Sequence, residues 1–167
     1  MSKIERTLVV FKPDAVQRGV VGEILTRFER VGLKIVGTKM VSPDDAHYFK
    51  HYEEIGQLKT RKGDDVYNNT VAMMMQSPVI AFVLEGVDAA DLVRKLVGST
   101  ESKSALPGTI RGDFSHMSYS YSDAAGKAIP NLIHASGDSE EAEKEVAHWF
   151  SDDELFDYGV LHEKFTR

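Results

Sequence analysis

The stretch TLVVF (residues 7–11) is an unbroken apolar run near the start of the chain. A short run of this kind, rich in valine and followed by Pro13, predicts a buried strand. Apolar residues then recur at helical spacing until Gly32, a residue type that often ends a helix. They are Val21, Ile24, Leu25, Phe28 and Val31. The chain is therefore predicted to open with a buried strand and an amphipathic helix.

Three further segments have the composition of strands, and one between them is ambiguous. LKIVGTKMV (33–41) and PVIAFVLEG (78–86) are rich in β-branched and apolar residues, which favours strands. NLIHAS (131–136) predicts a short last strand. VYNNTVAMMM (66–75) fits a helix better than a strand.

Helix starts are indicated at three places. Ser42, followed by a proline and two aspartates, predicts a capped helix. DAADLVRKLVG (88–98) predicts a helix capped by Asp88. DSEEAEKEVAHWF (138–150) predicts a last helix, whose first residue and Glu141 have the spacing of a capping box.

From Ser99 to about Pro130 no amphipathic period is visible, so this part is predicted to be a long loop. Loops longer than about 12–15 residues in a compact domain are usually functional or disordered. The order of elements predicts a mixed α/β fold of the α+β type. It is a ferredoxin-like βαββαβ sandwich with a four-stranded antiparallel sheet, an added helical hairpin and a long active-site loop. No repeat or linker interrupts residues 1–167, which are predicted to form a single domain.

The composition excludes several classes of protein. The net charge is −6 and the chain has no cysteine. Duplex nucleic acid and anionic membranes are therefore not expected as partners, and a disulfide framework or a thiolate nucleophile is excluded. The N-terminus lacks the apolar stretch of a signal peptide, and no segment is long enough to span a membrane. We predict a cytoplasmic protein.

His134 is the residue whose role needs explaining. A lone histidine in a short strand is more often a hydrogen-bonded core residue than a nucleophile. Glu145 lies at the edge of the apolar stripe of the last helix, where it is either a surface glutamate or a carboxylate directed at the imidazole. A carboxylate on one ring nitrogen would fix the tautomer and leave the other nitrogen free to attack.

Three cations stand beside glycines, prolines or the long loop, where phosphate-binding residues are often found. They are Lys12, Arg94 and Arg111. No glycine-rich phosphate loop is present, so nucleotide binding would depend on side-chain cations. His47 and His51 have the i, i+4 spacing of metal ligands, but no third ligand is evident, and we predict no metal site.

Three motifs together resemble the nucleoside diphosphate kinase family. They are KPDAVQRGVVGEI (12–24), PGTIRGDF (107–114) and NLIHAS (131–136), the last followed by EAEKEVAHWF. The resemblance implies the same sandwich fold, homo-oligomers and a two-step transfer. In that transfer the γ-phosphate of a nucleoside triphosphate passes to a histidine and then to a nucleoside diphosphate. It also implies Mg²⁺ carried by the nucleotide phosphates.

The resemblance carries over residue by residue. His134 matches the phosphorylated histidine, and Ser136 and Glu145 match the residues that support it. Tyr52 matches a tyrosine near the active site. The residues that match nucleotide-binding positions are Lys12, Arg94, Thr100, Arg111 and Asn131.

The chain departs from the family pattern at several positions. Val66 stands where the family has the phenylalanine that stacks on the base, and Tyr67 is the alternative aromatic face. HMSYSYSDAAGKAIP (116–130) is an insertion, which would enlarge a lid over the phosphates or alter a subunit contact. Ala135 replaces a glycine, and Gly137 replaces an aspartate.

Two other functions are compatible with the sequence. One is a catalytically silent nucleotide- or RNA-binding module, since one fold supports many functions. The other is a phosphate donor to proteins.

The resemblance also predicts the assembly. We expect a homohexamer, with a tetramer as the alternative, because the chain continues well past the last helix as in longer hexameric members.

Overall fold

A computed structural model describes residues 3–166 and contains four strands in one sheet. The strands are β1 (Ile4–Phe11), β2 (Lys34–Val41), β3 (Val79–Val87) and β4 (Ile133–Ala135). The sheet order is β2-β3-β1-β4, and every neighbouring pair is antiparallel. The predicted α+β sandwich with a four-stranded antiparallel sheet is confirmed.

Helices connect the strands and cover the sheet. The α-helices are α1 (Pro13–Gln17), α2 (Val21–Arg30), α3 (Asp45–Phe49), α4 (Leu58–Lys62), α5 (Asp64–Met74), α6 (Ala89–Val97), α7 (Ile110–Phe114), α8 (Tyr119–Ala124), α9 (Ser139–Trp149) and α10 (Glu163–Thr166). A π-helical turn, Lys50–Ile55, extends α3. The segment 66–75 is helical, as predicted. Within residues 3–166, no helix has the length and apolar character needed to cross a membrane.

The apolar run of β1 is explained by burial on both faces of the sheet. Leu8 and Val10 pack in a core with α3, α5 and α9, whereas Val9 and Phe11 pack in a second core with α2 and α6. Successive side chains of a strand point to opposite faces, so a strand covered on both faces needs apolar residues throughout. The sequence of β1 therefore reflects helices on both sides.

The same alternation directs His134. In β4, His134 pairs with Val10 of β1, whereas Ile133 belongs to the core under α2 and α6. Opposed residues of an antiparallel pair share a face of the sheet. His134 therefore points to the side of the sheet that α3 and α9 cover.

Residues 99–130 are more regular than the sequence indicated. They contain a 3₁₀ turn at Ser102–Ser104 together with α7 and α8. None of these helices exceeds six residues, which is too short for a helical period to emerge from the sequence. The predicted long loop therefore contains short helices that the sequence did not indicate.

Two predicted helix caps also differ. Asp44, not Ser42, caps α3 by accepting a hydrogen bond from the backbone N–H of His47. The Asp88 side chain caps no N–H of α6, since Glu5 accepts from the N–H of Ala90 at 3.0 Å. These caps depended on how the chain enters each helix, which composition does not specify.

Candidate active site

A hydrogen-bonded carboxylate orients the imidazole of His134. Glu145 Oε1 lies 2.8 Å from His134 Nε2, and its other oxygen accepts from the hydroxyl of Ser136 at 2.6 Å. Glu145 is only 1% exposed, so the surface alternative is excluded. An ionised carboxylate can only accept a hydrogen bond, so Nε2 carries the proton and the lone pair of a neutral imidazole is on Nδ1. The His134 ring is thus set up with Nδ1 as its nucleophilic atom.

Ser136 links the carboxylate to the central strand. Its Oγ accepts from the backbone N–H of Leu8 at 3.2 Å while its hydroxyl donates to Glu145. Ser136 is fully buried and does not line the cleft in front of His134. It therefore positions Glu145 from behind rather than facing a ligand.

His51 contacts His134 directly, a role that the sequence did not indicate. Trp149 Nε1 donates to His51 Nδ1 at 3.1 Å, so the proton of neutral His51 is on Nε2. Burial, followed by the nearby His134, holds the pKa of His51 well below its ordinary value. The rings of His51 and His134 pack edge to face, with their centres 4.5 Å apart. His51 therefore packs as a neutral side chain against the imidazole.

The π-helical turn Lys50–Ile55 explains how two consecutive residues both reach His134. His51 and Tyr52 are both buried, and the Tyr52 ring centre lies 6.3 Å from that of His134. A π turn is rare and frequently occurs at functional sites, because its extra residue redirects side chains. The only sequence signal for His51 was its i, i+4 relation to His47, and that pairing was not informative.

The geometry also bears on metal binding. One possible ligand atom from each of His51, His134 and Glu145 lies within 4.8 Å of the others. The lone pair of His51 Nδ1 already accepts from the indole of Trp149, and Nε2 of His134 is hydrogen bonded to Glu145. These groups are therefore engaged with one another, and the absence of a metal site stays a prediction.

A second network connects Lys12 to the start of the long loop. Lys12 Nζ donates to Asn131 Oδ1 at 2.7 Å, and Asn131 Nδ2 donates to the carbonyl of Thr100 at 2.8 Å. Burial, and then repulsion by Arg111, lower the pKa of Lys12 to about 8, and Asp14 partly opposes this. Lys12 is therefore a buried, poorly neutralised cation.

Arg111 holds the loop to the last strand. Its guanidinium donates to the carbonyls of Asn131, Gly98 and Ile133 at 3.2, 3.1 and 2.7 Å. A guanidinium has five N–H groups, so some of them are still available to a ligand. Burial lowers the pKa of Arg111 to about 10, so the group keeps its charge near neutrality.

One cleft of about 650 Å³ brings the predicted site together. Nine of the ten predicted residues line it, all except Ser136. They are Lys12, Tyr52, Val66, Arg94, Thr100, Arg111, Asn131, His134 and Glu145. Among the predicted residues, the cleft thus joins three cations and the imidazole with Val66 at an apolar wall.

Val66 and Tyr67, the two candidates for stacking on the base, lie in different environments. Val66 lines the cleft and is 41% exposed. Tyr67 is 7% exposed and packs edge to face against Phe49, with ring centres 6.1 Å apart. Adjacent helical residues point about 100° apart, so only one of them faces the cleft. This favours Val66 over Tyr67 at the cleft wall, and which residue stacks on the base stays a prediction.

Gly137 makes room for a neighbouring carboxylate. A Cβ atom at this position would lie 2.8 Å from Glu141 Oε2, and the backbone N–H of Gly137 donates to Glu141 Oε1 at 3.1 Å. Asp138 caps α9 by accepting from the N–H of Glu141, but the Glu141 carboxylate is used at Gly137. The predicted capping box is therefore half formed. A side chain at 137 would require the flexible Glu141 carboxylate to move.

A family model described as nucleoside diphosphate kinase matches residues 5–155. The nucleoside diphosphate kinase of Borreliella burgdorferi is 45% identical over 155 residues, covering 93% of this chain and 92% of that protein.

Solved structures agree with the sequence comparison. A transition-state mimic of the enzyme from Borrelia burgdorferi, with bound vanadate and ADP, has a TM-score of 0.94 at 44% identity. That match covers 98% of this chain and 96% of the other. The enzyme of Halobacterium salinarum in complex with CDP has a TM-score of 0.83 at 38% identity and covers 98% of each chain. The chain belongs to the nucleoside diphosphate kinase family, whose members are phosphotransferases.

Proposed function

We propose that the enzyme transfers the γ-phosphate of a nucleoside triphosphate to a nucleoside diphosphate through a phosphohistidine at His134. The observation that carries this proposal is the hydrogen bond between His134 Nε2 and Glu145, which leaves Nδ1 as the attacking atom. The Nδ1 lone pair forms a bond to the γ-phosphorus as the bond to the β-phosphate oxygen breaks. The nucleoside diphosphate then leaves, and a second diphosphate takes the phosphoryl group by the reverse step.

Glu145 acts on the ring and not on the substrate. The imidazole gains positive charge as the phosphoryl group arrives, and the buried carboxylate 2.8 Å from Nε2 stabilises that charge. Ser136 holds the carboxylate in place. His51 and Tyr52 restrict the ring by packing against it. The protein thereby supplies an oriented nucleophile, and phosphoryl transfer needs little more covalent assistance.

The cationic and polar side chains of the cleft are the candidates for binding the phosphates. We assign the cations Lys12, Arg94 and Arg111 to the phosphate oxygens, and Thr100 and Asn131 to the phosphates and sugar. Lys12, Arg111 and Asn131 are buried, whereas Arg94 and Thr100 are exposed. Three cations in one cleft suit a ligand with several negative charges.

Tyr52 belongs to the same binding set. Its hydroxyl is buried, and within residues 3–166 it has no hydrogen-bond partner. A bound nucleotide would supply the missing partner, since buried hydroxyls are nearly always hydrogen bonded.

Mg²⁺ would arrive bound to the nucleotide phosphates. The cleft also contains the carboxylates of Asp123 and Glu141, which are not bonded to His134. Carboxylate oxygens are ligands that suit Mg²⁺ or the waters around it, so the residues present fit the ion. When bound, Mg²⁺ would offset part of the phosphate charge.

We propose broad tolerance for the base. Val66 offers an apolar surface to the cleft. The related structures named above hold ADP and CDP, which carry different bases. Apolar stacking does not distinguish bases strongly.

We propose that residues 1–167 form one domain of a cytoplasmic homo-oligomer, a hexamer in preference to a tetramer. Phe156, Leu161 and Phe165 leave apolar surface exposed near the end of the chain, as expected of a chain that associates with copies of itself. Light scattering at micromolar concentration tests the assembly, and a monomer would contradict it.

The transfer mechanism is tested by labelling without an acceptor. Wild-type protein mixed with γ-labelled ATP and Mg²⁺ is expected to take up one label per chain, stable in alkali and labile in acid. Adding any nucleoside diphosphate should release the label. His134→Ala should abolish labelling, whereas His116→Ala, a change at an exposed histidine, should not.

The outcomes separate the alternatives. A wild-type protein that binds nucleotide without taking up label would be a silent binding module. Label that persists in His134→Ala would place the phosphohistidine elsewhere. Label that passes to proteins and not to nucleoside diphosphates would indicate the phosphate-donor role.

A further inference from the structure

The inserted helix α8 borders the nucleotide cleft with one of its faces. Tyr119 and Asp123 both line the cleft and stand four residues apart, a spacing that places side chains on one face of a helix. Tyr121 lies outside the cleft lining and is 61% exposed, and Ser122 is buried. The helix therefore has a distinct cleft side, which Tyr119 begins.

Hydrogen bonds connect the backbone around Tyr119 to the segment that follows Thr100. Its N–H donates to Glu101 Oε1 at 3.0 Å, and the N–H of Lys103 donates to the carbonyl of Met117 at 2.9 Å. The residue before Glu101 is Thr100, whose carbonyl accepts from Asn131. Tyr119 is thus tied to the segment that the proposed function assigns to phosphate binding.

The phenol of Tyr119 also lies within electrostatic reach of Arg111. Burial lowers the pKa of Arg111, and Tyr119 is the strongest influence acting in the opposite direction. The Arg111 guanidinium is held by three backbone carbonyls, so its position is well defined. Tyr119 and Arg111 both line the cleft in which phosphates are expected to bind.

We propose that the hydroxyl of Tyr119 donates a hydrogen bond to a phosphate oxygen of the bound nucleotide, beside Arg111. This inference rests on the proposed function and assigns part of the 116–130 insertion to substrate binding. A phenol hydroxyl donates well to an ionised oxygen, and such charge-assisted hydrogen bonds are the stronger kind. The contact would be independent of the base.

The test compares Tyr119→Phe with Tyr121→Phe. Each change removes one hydroxyl from α8 and keeps the ring, but only Tyr119 lines the cleft. Binding of ADP and of adenosine is measured by calorimetry. Tyr119→Phe should weaken ADP binding about 10-fold, the loss typical of a hydrogen bond to a charged group, and leave adenosine binding unchanged. Tyr121→Phe should bind both ligands as the wild type does.

Two results would overturn the inference. One is ADP binding by Tyr119→Phe that matches the wild type. The other is an equal loss for ADP and adenosine, which would place the hydroxyl at the base or sugar. Melting temperatures equal to that of the wild type verify the fold of both variants. Labelling by γ-labelled ATP separates the two proposals, because Tyr119→Phe should still be labelled at saturating ATP. An unlabelled wild type would instead refute the phosphohistidine route.

Discussion

Glu145 on α9 holds the imidazole of His134 on β4 through a hydrogen bond of 2.8 Å, with the carboxylate buried and the imidazole open to the cleft. The carboxylate is therefore both an orienting group and a source of charge at the nucleophile. These two contributions can be separated by experiment.

Glu145→Gln should slow phosphoryl transfer by roughly 10- to 100-fold, the usual cost of changing a residue that orients a reacting group. The amide oxygen can still accept from Nε2–H, but the charge that favours a positive ring is lost. Transient kinetics of phosphoenzyme formation measures the rate, and nucleotide affinity should hardly change. Glu143→Gln, an exposed change on the same helix, is the control. A rate equal to that of the wild type in Glu145→Gln would assign the carboxylate a structural role alone.

The lowered pKa of Lys12 predicts a loss of efficiency in alkali. The protonated amine binds phosphate, so kcat/KM should fall about tenfold per pH unit as pH rises through about 8. Lys12→Arg should be slower at neutral pH, because its geometry differs, yet should lack this fall near pH 8. A pH profile of kcat/KM for both proteins is the measurement. The same alkaline fall in Lys12→Arg would assign it to another group.

Val66 and Tyr67 should respond in different ways to substitution. Val66→Phe adds an aromatic face to the cleft, and because stacking is worth about 1–3 kcal/mol, the KM for several diphosphates should drop about fivefold or more. Tyr67→Ala empties a core site and should cost about 2–4 kcal/mol of stability.

Steady-state kinetics with diphosphates of different bases tests the role of Val66, and chemical denaturation tests the role of Tyr67. Val66→Ala is the control for Val66→Phe. An improvement for one base only would reveal a base-specific contact and contradict tolerant stacking.

His47 should make the protein sensitive to acid. Burial, and then repulsion by the stacked ring of His148, lower the pKa of His47 to about 4. An unfolded histidine takes up a proton near pH 6.5, so its contribution to stability is complete above that pH and is lost as pH falls toward 4. Between pH 7.5 and 5 this amounts to about 1–2 kcal/mol.

His47→Phe removes the titration and keeps a ring against His148 and Trp149. Urea denaturation at pH 7.5 and pH 5 should show a smaller decrease in unfolding free energy for this variant. A residual decrease is expected, since burial also lowers the pKa values of His51 and His148. An unchanged decrease would mean that His47 is not the titrating group.

Local sequence patterns predicted the order of elements along the chain and proposed the residues of the site. The apolar run 7–11 and the periodic helices predict the sandwich, because period and composition are local properties. The motifs around Lys12, Arg111 and His134 indicated the chemistry, and the structure brings these residues into one cleft.

Only the tertiary structure decided which side chains meet. His51 meets His134 from a π-helical turn that the sequence did not indicate. Val66 is exposed and Tyr67 is buried because of the way their helix packs on the core. Ser136 reaches the backbone of Leu8 across 128 residues of sequence. Such contacts arise when distant segments pack together, and no local pattern encodes the distance between them.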